Sequence, residues 1–354
     1  MSSKYLSKLF LTVALSVAPI GYALAQSAEA PAQNLADAAS GLAGPKLTLT
    51  APDGHSIHIL PTPQVAAARQ AALGGAPGPL VYHGGPIMTS TTIYTILWAP
   101  PTLQSGAVAN MSATYKSATE LFGIDYPGHG IDNINTQYYQ TIGGVTRYIA
   151  NAGGSAFYVD ASPYPTAGCS YVFGPVTSSQ NCISDAQIQA EVTKVQGIKG
   201  WTPAINHIFL VYTAQGEGSC FSNGVSCAYN SFCAFHSYFG STASPSIYGN
   251  EPYGEPTYCN IPGTPTPHNN AAADNALSAA SHEVSEATTD PELNAWYTTS
   301  GAENGDLCAT YVQSSMYGVN SWDSAKANQM WNGRFYEIQQ EWDNHVNNCV
   351  QVGP

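Results

Sequence analysis

SHEVSEATTDPELNAWYTTSGAENGDLC, residues 281–308, is the stretch around which the rest of the chain is arranged. Residues 271–289 lack Gly and Pro, are rich in Ala, follow an Asn269-Asn270 cap and stop at Asp290-Pro291, which predicts a helix. On it Leu277, Ala280, Val284 and Ala287 fall within one arc at helical spacing and form a buried stripe. His282 and Glu286 stand one turn apart on the opposite side, with Glu283 and Asp290 beside them.

An imidazole and a carboxylate at i and i+4 can grip one divalent cation, and the intervening Glu can then act as general base toward a water that the cation polarises. The pattern is that of the HExxH zinc helix with Glu286 in place of the second His. The plain alternative is that these side chains form the solvated face of an amphipathic helix. Charge distribution favours the cation. Between Lys199 and Lys326 there is no Lys or Arg, while eleven carboxylates occur, six of them in the 24 residues 283–306. Carboxylates so clustered repel one another and raise each other's pKa unless a cation sits among them. A solvated acidic patch is usually interleaved with Lys and Arg.

Residues 1–25 read as a secretion signal: Lys4 and Lys8 precede an apolar run, and Ala23-Leu24-Ala25 offers a small-x-small cleavage site before Gln26. The expected location is therefore extracellular or periplasmic. All eight cysteines lie downstream and their number is even, as for a disulfide set formed in an oxidising compartment. Cys169 with Cys182 and Cys308 with Cys349 are candidate pairs, and a zinc site at Cys220, Cys227 and Cys233 is the competing view. Loss of the signal removes two of ten basic residues, leaving 23 acidic against 8 basic and a formal charge of -15. Such a surface argues against nucleic acid and anionic membrane as partners.

Residues 26–78 are rich in Ala, Pro and Gly and read as an N-terminal arm or removable pro-segment, with a short hairpin around Asp53-Gly54 as its regular structure. From residue 79 the character changes. Strands are predicted over 91–98, 138–149, 205–213 and near 334–342, and helices over 110–122 and 184–197, with a Cys- and Gly-rich loop region before the His282 helix. The expected fold is α/β (α+β): a single mixed-sheet domain over 79–354 with flanking helices, a zincin-like active-site helix and disulfides.

Several motifs resemble secreted bacterial relatives of the plant Exordium, or phosphate-induced, proteins: Tyr82-His83-Gly84-Gly85-Pro86-Ile87, Cys233-Ala234-Phe235-His236-Ser237, the 281–297 helix motif, GAENGDLC at 301–308, and the tail from Trp331 through Trp342 to Cys349. The plant members keep a TNP-like segment at 289–291 but lack the His-Glu pair, so plant growth roles do not transfer. The helix is also similar to that of zincin metallopeptidases. It departs from them at Glu286 and in having no downstream His as third ligand.

The expected function is a secreted metal-dependent hydrolase, a metallopeptidase first, acting on extracellular polypeptide or cell-wall substrate. His282 and Glu286 would bind the metal, Glu303 or Asp306 would add the third ligand, and Glu283 would be the general base. Zinc is the first choice of cation, while a His among carboxylates also suits manganese or calcium. The alternative is a non-catalytic extracellular or cell-wall binding protein of the Exordium-like family with a structural cation. An acid peptidase using paired carboxylates would leave His282 without a role. His83, His129 and His207 are isolated and read as structural, and His236 as a supporting rather than ligating residue.

Overall fold

The computed structural model describes residues 47–51, 53–66, 78–166, 169–171, 180–222, 226–259, 267–309, 320–322 and 325–353. The signal assigned to 1–25 lies outside them. The central sheet has seven strands: β1 (Thr48–Thr50), β2 (Ser56–Pro61), β3 (Thr91–Trp98), β4 (Gly153–Asp160), β5 (His207–Thr213), β6 (Phe232–Ser241) and β7 (Ser244–Glu251). Their order across the sheet is β1-β2-β6-β7-β5-β3-β4. The four strands from β7 to β4 run parallel, whereas the pairs β1–β2, β2–β6 and β6–β7 are antiparallel.

Alternation along the strands supplies an apolar face on each side. On β5, Ile208, Leu210 and Tyr212 join one core, with Tyr115, Ala118 and Phe122 of α1 (Ala113–Asp125) and Leu277, Ala280, Val284 and Ala287 of α3 (Ala271–Thr289). Phe209 and Val211 join the other, with Ile188, Val192 and Val195 of α2 (Asp185–Lys199). Helix α2 begins at a Ser184–Gln187 capping box and ends at Gly200, whose φ of 66° is the left-handed conformation a helix stop uses. The result is three layers, helices on both faces of a mixed sheet.

The apolar stripe of α3 lies in the core as the spacing predicts, but the opposite side is not solvated. Residues 272–289 are all buried, His282, Glu283 and Glu286 completely. Their polar face is covered by β2, β6 and the segments around 303–306 and 337–341.

Two further differences from the sequence reading shape this arrangement. The region read as Cys- and Gly-rich loop contains the long hairpin β6–β7, whose ladder runs from Phe235 opposite Asn250 to Ser241 opposite Ser244. The hairpin at Asp53-Gly54, assigned to an arm ahead of the domain, pairs through β2 with β6 and supplies two strands of the sheet. Residues 138–149 form a small hairpin of their own, Tyr139–Ile142 against Val145–Tyr148.

All eight cysteines are paired: Cys169–Cys182, Cys220–Cys227, Cys233–Cys259 and Cys308–Cys349. The thiolate-zinc reading of Cys220, Cys227 and Cys233 is thereby corrected, because a disulfide sulfur has no thiolate to offer. Disulfides of this kind belong to an oxidising compartment. No described helix is long and apolar enough to cross a membrane.

Candidate metal centre

The site lies between α3 and the strand pair β2–β6. Register places His58 of β2 directly opposite His236 of β6, and both point at α3 because their neighbours Ile57, Ile59 and Phe235 fill the opposite core. The two imidazole centroids are 5.5 Å apart. From the helix come His282, Glu283 and Glu286, and from the segment after it Glu303 and Asp306.

The end of α3 sets the return path of the chain. Asp290, before Pro291, leaves at φ -146° the helical region, which proline disfavours for the residue preceding it, and its Oδ1 accepts the N–H groups of Asn294 and Ala295 at 2.5 and 2.6 Å. The chain then comes back along the helix, where Asp306 N–H donates to Glu286 Oε1 at 3.0 Å and Glu303 N–H donates to Asp306 Oδ2 at 2.9 Å. Asn304 Nδ2 ties the same turn to Ser285 Oγ and Asn135 Oδ1, both at 3.0 Å. Gly305 lies so close to the helix that a Cβ there would stand 2.5 Å from His282 Nδ1.

The ligand-type atoms converge. His282 Nε2 is 3.0 Å from Glu286 Oε1 and 3.9 Å from Asp306 Oδ1. His58 Nε2 is 2.9 Å from Asp306 Oδ2 and 3.7 Å from Glu286 Oε2. His236 Nδ1 is 3.0 Å from Glu283 Oε2 and 3.7 Å from Glu286 Oε2, and its Nε2 is 3.8 Å from Glu303 Oε2. Atoms about 2.0 to 2.3 Å from a common cation are separated by distances of this size. Among the described residues two trios of imidazole and carboxylate have ligand atoms mutually within 4.8 Å: His58, Glu286 and Asp306, and His236, Glu286 and Glu303.

The far nitrogens of two imidazoles are held from behind, as metal-binding histidines usually are. His58 Nδ1 lies 3.0 Å from Glu303 Oε1 and 3.2 Å from Thr48 Oγ1. The Gln339 amide lies 3.0 and 3.3 Å from His282 Nδ1, anchored by its Nε2 donating to Gly305 O at 2.7 Å. Facing one another within the cluster, His236 Nε2, His282 Nε2, Glu286 Oε2 and Glu303 Oε2 have no hydrogen-bond partner among the described residues. Four buried polar atoms left bare in one place are costly unless a cation satisfies them.

Electrostatics without a cation are correspondingly frustrated. Burial and the neighbouring Glu286 and Glu251 push Glu283 well above the usual carboxyl range, and burial does the same to Glu303. Burial and the Asp306 charge raise Glu286. Burial opposes charge on His58, yet Glu303, Asp306 and Glu286 outweigh it and hold the imidazole well above its ordinary value. Burial together with His58 and His282 pushes His236 well below it. Among the described residues no Lys or Arg pairs with any of these carboxylates. The donor set of imidazole and carboxylate fits a divalent cation.

A pocket of about 240 Å³ opens beside the cluster, lined by Thr48, Thr50 and Ser56 of the N-terminal hairpin, by Asp290, Leu293 and Tyr297, and by Gly301 and Glu303. It brings the outside to one edge of the site, the Glu303 edge.

Of the residues singled out from sequence, His282, Glu283, Glu286, Glu303 and Asp306 all come together. Glu303 is also the partner of His58. Two contributors were missed. His58 sat in the presumed arm, although an imidazole between Ile57 and Ile59 on a strand is a signal of a polar group turned to an interior face. His236 was read as a supporting residue, yet its nitrogens face Glu283, Glu286 and Glu303. His83 stacks on the pocket residue Tyr297 with centroids 3.6 Å apart, and His207 Nδ1 bonds Thr202 O; neither joins the converging ligand atoms. No family model, no curated protein and no solved structure matches the chain.

Proposed function

We propose that the chain is a secreted metal-dependent hydrolase, acting on extracellular polypeptide, with zinc as the first candidate cation. The observation that carries this reading is the group of bare ligand atoms of His282, Glu286 and His236, sealed in the fold beside a pocket that reaches Glu303. His58, His282, Glu286 and Asp306 would hold the cation. A bound divalent ion would supply Lewis acidity toward a carbonyl and lower the pKa of water.

The chain's own part is proton handling and positioning. Glu283 occupies the general-base position of the HExxE helix, and its Oε2 shares a hydrogen bond with His236 Nδ1 at 3.0 Å. That bond couples the carboxylate to an imidazole which burial keeps neutral, so the pair can take a proton and pass it on without leaving a lone charge. Gln339 and Glu303 fix ring orientation, and the pocket hydroxyls of Thr48, Thr50 and Ser56 can hold a peptide backbone.

The second reading is an extracellular or cell-wall binding protein of the Exordium-like type with a structural cation. The complete burial of His282, Glu286 and Asp306 favours it, because a structural cation needs no open position. Glu283→Gln distinguishes the two. In a hydrolase the variant retains the metal and loses peptidase turnover by about 100-fold or more. A chelator-sensitive peptidase activity unchanged by Glu283→Gln overturns the mechanism, and metal-bound protein with no activity on peptide libraries supports the structural cation.

A further inference from the structure

We infer that the cluster is built for two cations bridged by Glu286, one on the inner side with His282 and Asp306 and one on the pocket side with His236 and Glu303. This rests on the metal-centre reading above and goes beyond it in stoichiometry and in what each ion touches.

The first argument is the division of the ligands. Glu286 belongs to both trios of converging atoms. Its Oε1 lies 3.0 Å from His282 Nε2, while its Oε2 lies 3.7 Å from both His58 Nε2 and His236 Nδ1. Its Oε2 thus stands between an imidazole of the inner set and the imidazole of the pocket side, the place of a bridging oxygen in a two-metal site, where the ions stand about 3.5 to 4 Å apart. One ion of the zinc or manganese size takes four to six ligands, and the inner set already fills four places with His58, His282, Glu286 and Asp306.

The second argument is the bare atoms on the pocket side. His236 Nδ1 is engaged by Glu283, which leaves Nε2 as its unpartnered lone pair, 3.8 Å from the equally unpartnered Glu303 Oε2. His236 is completely buried and Glu303 is 2% exposed. Solvation therefore does not satisfy them.

With the neighbouring carboxylates all ionised, as metal ligation requires, charge balance favours two ions over one. Glu283, Glu286, Glu303 and Asp306 contact the imidazoles directly, four carboxylates in all. One dication against four leaves two formal negative charges in the interior, and two dications leave none. Buried net charge without a partner is the costlier state. Since Glu303 also lines the pocket, the outer ion is the one a substrate could reach. The inner ion, backed by Gln339 and Gly305, would set the geometry.

The test is metal stoichiometry on the full mature chain, stripped with chelator and titrated with Zn²⁺ in a calorimeter, with bound metal measured after gel filtration. Two equivalents per chain are expected, with His236→Ala retaining one and Glu286→Gln losing tight binding of both. Loading with Mn²⁺ adds an independent readout, a spin-coupled spectrum in wild type that becomes a single-ion spectrum in His236→Ala. One equivalent in wild type, unchanged in His236→Ala, overturns the two-ion centre while leaving the one-ion hydrolase intact. A second equivalent that survives His236→Ala also overturns it, marking that ion as bound elsewhere. No tight binding at all removes the metal centre altogether.

Discussion

His58 Nε2 and Asp306 Oδ2 stand 2.9 Å apart across 248 positions of sequence, and this contact joins the first hairpin of the sheet to the turn that follows α3. Its consequence is that the N-terminal hairpin belongs to the site. His58→Ala would leave the Asp306 and Glu303 carboxylates buried with no imidazole between them. It is expected to lower metal-free stability by about 3 kcal/mol or more, the usual cost of breaking a buried ion pair. Urea denaturation of chelator-treated protein measures it. An unchanged midpoint would mean that the His58 contacts with Asp306 and Glu303 contribute nothing to the metal-free fold.

Gly305→Ala places a methyl against the His282 ring, 2.5 Å from Nδ1 and 2.8 Å from Cε1. Neither the ring nor the turn can retreat easily, since Gln339 holds both. The variant is expected to fold with a loss of about 1 to 3 kcal/mol and to bind Zn²⁺ at least tenfold more weakly. Isothermal titration paired with thermal denaturation separates the two effects. Full affinity would mean that His282 is not a ligand.

The Cys308–Cys349 disulfide closes a span of 41 residues and fixes the turn bearing Asp306 to the C-terminal strand pair. Replacing both cysteines with serine is expected to destabilise the chain by about 2 to 4 kcal/mol. Metal affinity should fall with it, because the turn loses its anchor two residues beyond Asp306. Thiol titration of the denatured, unreduced wild type should find no free thiol.

Away from the cluster, burial raises Asp132 to about 7 from an ordinary 3.8, and Glu217 to about 7 from 4.5. Between those limits the native chain holds protons that the unfolded chain releases, so the stability due to these groups is present in acid and is lost as pH rises. Asp132→Asn keeps an oxygen to accept the Gly128 N–H and removes the titration. The variant is expected to gain on wild type by more than about 1 kcal/mol from about pH 4 to about pH 8. A constant difference across that range would show that the Asp132 carboxyl titrates alike in the native and unfolded chain, with no upward shift.

Local pattern determined a good part of this protein. The Ala-rich run with its Asn270 cap and Asp290-Pro291 stop specified α3, because capping and the proline restriction act within a few residues. TTIYTILW likewise specified β3 from Thr91 to Trp98, and helical spacing placed Leu277, Ala280, Val284 and Ala287 in the core. The lack of Lys and Arg from 200 to 325 marked the stretch whose carboxylates gather in the cluster without a basic partner. Tertiary structure alone decided the other half of the site. Whether the His282 face is wet or sealed depends on what packs over it, and that cover is β2 and β6, drawn from segments that read as arm and loop. His58 and His236 became neighbours only through strand register, a pairing between distant segments that periodicity within either one does not encode. The sequence by itself thus named the helix and its carboxylates. The fold supplied the two further imidazoles and, by burying all of them together, turned a polar face into a cluster of ligand-type atoms that could hold a cation.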